Sequence, residues 1–222
     1  MHRETMEYDV VIVGGGPSGL AAAIKFAQLN QENNTNYSIC LLEKGSEIGA
    51  HILSGNVFQP NALDELIPNW KELNAPLNVP VKKDKIYYFL KNIGIPVPPF
   101  LMPEMNNHGN YIISLANLCR WLGEQAENLG VEIFPGFPAS KLLIENDEVV
   151  GVQTGDMGIS ESGEMKPGNE PGINIKAKLT ILGEGCRGHL GKEVIQKFNL
   201  DGKNDSIEVL DKIFSVKINT RL

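Results

Sequence analysis

Cysteine is scarce in this chain. Its three, Cys40, Cys119 and Cys186, lie far apart. No C-x-x-C pair is present, so neither a zinc site nor an iron–sulfur cluster is supported. An odd, scattered set also argues against a disulfide framework and fits a reducing compartment. Positive charge is in deficit: 20 lysines and arginines stand against 27 acidic residues, for a net charge of -7. That balance disfavours a nucleic-acid partner held on a basic surface. No apolar run reaches the roughly 18 residues of a membrane-spanning helix. The N-terminal MHRETMEYD lacks the apolar core of a signal peptide and does not read as a transit peptide. Internal repeats and low-complexity tracts are absent, and no nucleophile, triad or acid–base pair stands out. What remains is an ordinary globular composition, 42% hydrophobic and 21% charged in 222 residues. That length suffices for one sizeable domain, or one domain with an insertion.

Against these absences stands a glycine cluster, in YDVVIVGGGPSG. The run from Tyr8 to Val13 predicts a short buried parallel strand, apolar on both faces. Gly14, Gly16 and Gly19 then form G-x-G-x-x-G. The first glycine allows the tight turn, the second lets a pyrophosphate approach the backbone, and the third lets the helix pack close to the strand. Pro17 suits the first turn of a helix, where its missing N–H costs nothing. A helix N-terminus offers free N–H groups and partial positive charge to the anion. Leu20 to Leu29 reads as that helix, NQENNTNYS as a polar loop, and Ser38 to Leu42 as a second strand. Glu43 ends this strand about 24 residues after Gly19, near the spacing of an acidic residue that binds a ribose. It would repel a 2′-phosphate.

The later chain gives Leu115 to Leu129 as an amphipathic helix, with Leu115, Leu118, Leu122, Ala126 and Leu129 on one face and Gly130 as its cap. Val131 to Phe134 is a strand. Lys141 to Glu145 and Val149 to Thr154 form a hairpin around Asn146-Asp147, and 155–172 is loop-rich. Lys178 to Leu182 is another strand, running into GEGCRGH, and a helix follows from Leu190 to Phe198. NAD and FAD both use such a βαβ unit. The long departure after Glu43 and the late Gly183-Glu184-Gly185 turn are typical of FAD-binding folds, in which backbone N–H groups and a carboxylate meet the flavin's ribityl or phosphate.

These stretches together resemble a known family. MEYDVVIVGGGPSGLAAAI, CLLEKGSEIGAHILSGNVF, NWKELNAPLN, MNNHGNYI, WLGEQAENLGVEIFPGFPA and LGEGCRGHLGK are similar to electron-transfer flavoprotein–ubiquinone oxidoreductase, from about Glu4 to about Asp201. The resemblance implies an α/β chain with a Rossmann-like FAD-binding fold of the glutathione-reductase type, carrying an inserted β-rich, quinone-side segment. It divides the chain into 1–85 (first FAD-binding half), 86–114 (apolar segment), 115–200 (return to the FAD domain) and a poorly matched 201–222. It implies electrons passing from reduced electron-transfer flavoprotein to ubiquinone, with FAD and one iron–sulfur cluster. Members run to more than twice this length, and the cluster's cysteines lie beyond this chain, which reads as a fragment or a truncated product. By the same resemblance, Gly14, Gly16, Pro17, Ser18 and Gly19 cradle the pyrophosphate, Glu43 with Lys44 holds the adenosine ribose, and Ser54 and Gly55 run near the flavin. Ala139 lends backbone contacts near the adenine, and Gly183, Glu184 and Gly185 match the late flavin motif. His51 is a further candidate for a hydrogen bond to the flavin. Another FAD enzyme of the same fold, geranylgeranyl-reductase-like or monooxygenase-like, or a non-catalytic product, are the alternatives.

Ile86 to Pro103 is apolar and holds four prolines, which forbid an ordinary helix. Its residues suit a buried loop and a membrane contact equally. The resemblance turns the reading to a peripheral, monotopic contact with an inner membrane: the bacterial cytoplasmic face, or the mitochondrial inner membrane if the chain is eukaryotic. Tyr87, Tyr88, Phe89 and Phe100 suit an interface, and Lys82, Lys83, Lys85 and Lys91 suit anionic headgroups. Asn106, Asn107, His108 and Asn110 suit tight turns at least as well as catalysis. Ser114 stands where the family often has an arginine, so either a phosphate partner is lost or Arg120 replaces it.

Overall fold

The fold is seen in a computed structural model that describes residues 3–52, 55–91, 93–159, 165–186 and 188–200. The main sheet begins with β1 (Thr5–Val13). Its valine-rich run alternates between two cores. Val10 and Ile12 pack on one face, Val11 and Val13 on the other, all with at most 6% of their surface exposed. Helix α1 (Pro17–Asn33) follows, and buries Leu20, Ala23, Ile24 and Ala27, a stripe at helical spacing. It runs four residues further than the sequence suggests. Gln31 and Glu32 are adequate helix formers, and the stop comes at Asn34, whose φ of 53° is left-handed. Strand β2 (Ile39–Glu43) completes a βαβ unit, parallel to β1.

The chain then leaves the sheet. β3 (Asn56–Phe58), the short helix α2 (Asn61–Leu66), β4 (Val79–Pro80), β5 (Ile86–Leu90), β6 (Ile93–Val97) and β7 (Tyr111–Ile113) come next. β3, β7 and β4 make a three-stranded sheet, while β5 and β6, among the described residues, pair only with each other. Thus Ile86 to Pro103 is a projecting hairpin followed by two short 3-10 turns. Pro96 is tolerated because β6 is an edge strand.

Helix α3 (Leu115–Asn128) starts at Ser114, whose hydroxyl accepts the Asn117 N–H, and Gly130 lies just past its end with φ 91°. Strands β8 (Glu132–Pro135), β9 (Ala139–Glu145), β10 (Glu148–Thr154), β11 (Met157–Ile159), β12 (Met165–Glu170) and β13 (Asn174–Leu182) lead to α4 (His189–Lys197). The β9–β10 turn is the expected one. Asn146 and Asp147 both have positive φ, 50° and 61°, as a type I′ hairpin requires. Within 155–172, β11 and β12 pair as a second hairpin where only loop was expected.

The six-stranded sheet is ordered β8-β2-β1-β13-β10-β9. Its first four strands are parallel; β10 joins β13 antiparallel, and β9 joins β10 antiparallel. α1 and α3 cover one face, and Leu190 and Val194 of α4 pack on the other. From β1 the chain builds outward to β2 and β8, then returns to place β13 on the opposite side. The strand order therefore reverses between β1 and β13, and ligands of open α/β sheets bind at the carboxyl ends of such a switch.

Candidate dinucleotide cleft

A cleft of about 400 Å³ opens at that switch. Gly14, Gly16, Pro17 and Ser18 line it from the β1–α1 turn, and Glu43 and Lys44 from the end of β2. Ala139 lines it from β9, and Gly183, Glu184 and Gly185 from the end of β13. His51 joins them. So do Pro138, Gly188 and His189, which the sequence reading did not single out. Gly19 sits beneath the turn. Gly55 lies outside the cleft lining, exposed at the start of β3, with its N–H bonded to Ile113 O at 3.2 Å. Ser54 falls outside the described residues.

Each glycine of the turn has its own physical reason. Gly14 has φ 108°, and a Cβ there would sit 2.5 Å from the Gly183 carbonyl oxygen. A Cβ on Gly19 would be 1.9 Å from the Gly14 carbonyl oxygen, so the helix could not approach the strand. At Gly16 a Cβ would meet nothing within 4 Å. The protein leaves open space there, on the cleft side. Gly15 is explained by its neighbour: a Cβ would crowd Ile48 at 2.5 Å and the Glu43 carboxylate at 2.9 Å.

Glu43 bridges two backbone segments. Its Oε2 accepts the Gly15 N–H at 2.8 Å and its Oε1 the Gly45 N–H at 2.7 Å. It is only partly buried, and each oxygen keeps a second lone pair for another donor. Behind it, the buried Cys119 thiol is pushed up to about 11 by burial and then by the Glu43 charge. Glu184 behaves differently from the flavin-facing carboxylate expected of it. Its Oε2 accepts the Gly191 N–H at 2.9 Å and its Oε1 the Leu190 N–H at 3.4 Å, and His189 Nδ1 lies 3.3 Å away. It caps α4, while its backbone lines the cleft. Ser114 caps α3 in the same way, but no side chain caps α1. The first N–H groups of α1 are therefore left to the cleft. Arg120, the alternative phosphate partner, instead meets Glu47 at 3.0 Å and Asn117 at 3.0 Å.

With this geometry in view, the comparisons with known proteins are specific. A family model described as an NAD(P)-binding Rossmann-like domain matches residues 12–71. The electron transfer flavoprotein-ubiquinone oxidoreductase of Pseudomonas aeruginosa is 56% identical over 211 residues, covering 93% of this chain and 38% of the relative. The mitochondrial protein of that name from Arabidopsis thaliana is 51% identical over 200 residues, covering 89% of this chain and 31% of the relative. The chain matches the N-terminal part of the electron transfer flavoprotein–ubiquinone oxidoreductases. It spans about a third of the length of the curated relatives it matches. Among solved structures, a geranylgeranyl bacteriochlorophyll reductase-like protein from Thermoplasma acidophilum aligns with a TM-score of 0.61 at 22% identity, over 85% of this chain and 42% of that one. A myxobacterial FAD-dependent chondrochloren halogenase aligns at 0.57 and 17%, over 84% and 39%. At these identities the likeness is one of fold.

Proposed function

We propose that the cleft binds FAD, and that this chain is the flavin-binding portion of an oxidoreductase passing electrons from reduced electron-transfer flavoprotein to ubiquinone. The observation that carries this reading is the open space over Gly16. It faces an uncapped helix N-terminus, between an acidic strand end at Glu43 and the 183–185 turn. These residues fit a dinucleotide. Gly14, Gly16, Pro17, Ser18 and Gly19 would hold its pyrophosphate. Glu43, beside Lys44, would accept ribose hydroxyls on its remaining lone pairs. Ala139 would lie by the adenine, and Gly183, Glu184 and Gly185 by the flavin half. FAD supplies the redox chemistry once bound; the chain's own residues bind and orient it. The names of the relatives supply the electron donor and acceptor.

In this reading, 1–85 and 115–200 build the FAD domain, and 86–114 forms an apolar arm that rests on one leaflet of an inner membrane. Among the described residues no helix is long and apolar enough to cross a membrane. The arm instead leaves Tyr88, Phe89, Ile93, Phe100 and Leu101 each more than half exposed, a surface that a monotopic contact would cover. Among the described residues no three His, Cys, Asp or Glu side chains are grouped to hold a metal.

The test is the visible absorption spectrum of the purified chain, before and after addition of FAD. Flavin bands retained through desalting are expected. A colourless chain that takes up no FAD would overturn the cofactor reading for this chain.

A further inference from the structure

The arm carries a charge pattern at odds with the rest of the molecule. The chain is acidic, at -7. Yet between positions 82 and 106 four lysines, Lys82, Lys83, Lys85 and Lys91, stand against only Asp84 and Glu104. All four lysines are exposed, and among the described residues none has an ion-pair partner.

Asp84, embedded in the K-K-D-K run, is engaged by Asn107 and forms no ion pair with the lysines among the described residues. Its Oδ2 accepts the Asn107 backbone N–H at 2.9 Å and its Oδ1 the Asn107 Nδ2–H at 3.0 Å. Val81 N–H to Asn110 O, at 2.8 Å, ties the same two strands of chain. The N-N-H-G-N motif therefore works as a clasp at the neck of the arm. It holds the one acidic group in the lysine run against the stem.

The lysines lie at both ends of the apolar surface. Lys82, Lys83 and Lys85 precede β5, and Lys91 sits at the hairpin tip with φ 49°. Five residues of strand span about 17 Å. A hairpin plunging tip-first would carry Lys91 into hydrocarbon, where a charge is costly. Lying along the interface, both groups reach headgroups while Tyr88, Phe89 and Ile93 enter the acyl boundary.

We propose that the surface this arm recognises is an anionic bilayer rather than a neutral one, with the four free lysines reading acidic headgroups along an arm that lies in the interface. The inference rests on the membrane reading above and adds lipid selectivity to it. The acidic remainder of the chain strengthens the point. It would be repelled by such a membrane, so the attraction has to be concentrated where contact occurs.

The experiment is co-flotation of the full 222-residue chain with phosphatidylcholine vesicles, and with vesicles containing about 30% of an anionic phospholipid. Each juxtamembrane lysine contributes roughly fivefold, so partition onto anionic vesicles should be at least about tenfold stronger at low salt and converge on the neutral value near 0.5 M salt. A variant with Lys82, Lys83, Lys85 and Lys91 all changed to Gln should keep neutral binding and lose the preference. Phe89→Asp should weaken binding to both vesicles. Equal binding to both by the parent chain would overturn the selectivity and leave the membrane reading standing. Binding to neither would remove both. An undiminished preference in the Gln variant would also overturn it, and would assign the lysines to another acidic partner such as a protein.

Discussion

Gly16→Val and Gly19→Ala should separate two functions that the glycine turn combines. At Gly16 the backbone is extended, with φ -81°, and a side chain would meet no protein atom within 4 Å. Valine therefore fits, and no side-chain cap is lost, since none exists. The stability cost is that of a poorer N-cap residue, about 0.5 kcal/mol. For a chain of this size that lowers Tm by roughly 1–2 °C. The same side chain fills the space assigned to the pyrophosphate, so FAD affinity should fall at least about a hundredfold, roughly 2.7 kcal/mol. Gly19→Ala should do the reverse. Alanine gains about 1 kcal/mol of helix propensity. Its Cβ, however, would stand 1.9 Å from the Gly14 carbonyl. Relieving that contact moves α1 from β1 by about 1 Å, an overpacking cost of roughly 3 kcal/mol. The net loss of about 2 kcal/mol lowers Tm by about 4–8 °C. Thermal unfolding without added flavin and flavin titration by fluorescence read the two effects independently. A Gly16→Val chain that binds FAD like the parent would falsify the pyrophosphate placement. An undiminished Tm in Gly19→Ala would refute the close helix–strand contact.

Three further outcomes follow from single groups. Glu43→Ala leaves the Gly15 and Gly45 N–H groups without their acceptor, and should lower stability by about 1.5 kcal/mol; Glu43→Gln keeps one acceptor oxygen and should recover part of that in a thermal melt. In a thiol titration at pH 8, the exposed Cys186 should react first. Cys40 and Cys119, buried and pushed up to about 12 and about 11, should react only after denaturation, and three fast thiols in the native chain would contradict this. Asp156 is held down to about 2 by its hydrogen bonds from Arg3 and from the Gly172 N–H, against 3.8 ordinarily. Because the folded value is depressed, its stabilisation is present above about pH 4 and is lost as pH falls toward 2. The Tm gap between the parent and Asp156→Asn should close over that window, and a gap constant from pH 5 to pH 2 would show that the pair contributes nothing.

The parts of the fold legible in the sequence were those whose signal is local. The β-branched run of β1, the apolar spacing of α3 and the Asn-Asp hairpin turn each state their conformation within a few residues. The pieces that escaped depend on distant partners. β3 and β4 are three and two residues long and gain their structure only by pairing with β7. The polar beginning of β13, Asn174 to Ala177, is a strand because it lies beside Thr5 to Tyr8. The apolar segment after Lys85 is read as proline-rich and irregular, yet forms a hairpin that, among the described residues, pairs with itself alone. In the site, the glycine spacing and Glu43 were visible. The need for glycine at position 15 was not, because it arises from Ile48 and from the Glu43 carboxylate, which arrives from 28 residues away.

The two carboxylates at the strand ends explain how an acidic cleft can suit an anionic ligand. Glu43 and Glu184 would both repel a pyrophosphate if their charge were free. Each instead accepts two backbone N–H groups, Glu43 from the glycine turn and Gly45, Glu184 from the first turn of α4. Those dipoles point at the carboxylates and offset much of their field. Of the two helices whose N-termini meet the cleft, α1 has no side-chain cap, and it opens onto Gly16. In the proposed reading, anion affinity would thereby be focused on that short stretch of backbone. On one side the Glu43 carboxylate keeps lone pairs for hydroxyls, which a neutral N–H donor at that position could not do; on the other, the Glu184 carboxylate caps α4 and the 183–185 backbone lines the cleft. A ligand with two phosphates at its centre and hydroxyl-bearing carbon on both sides matches that order of charge along the cleft, and a dinucleotide has this composition.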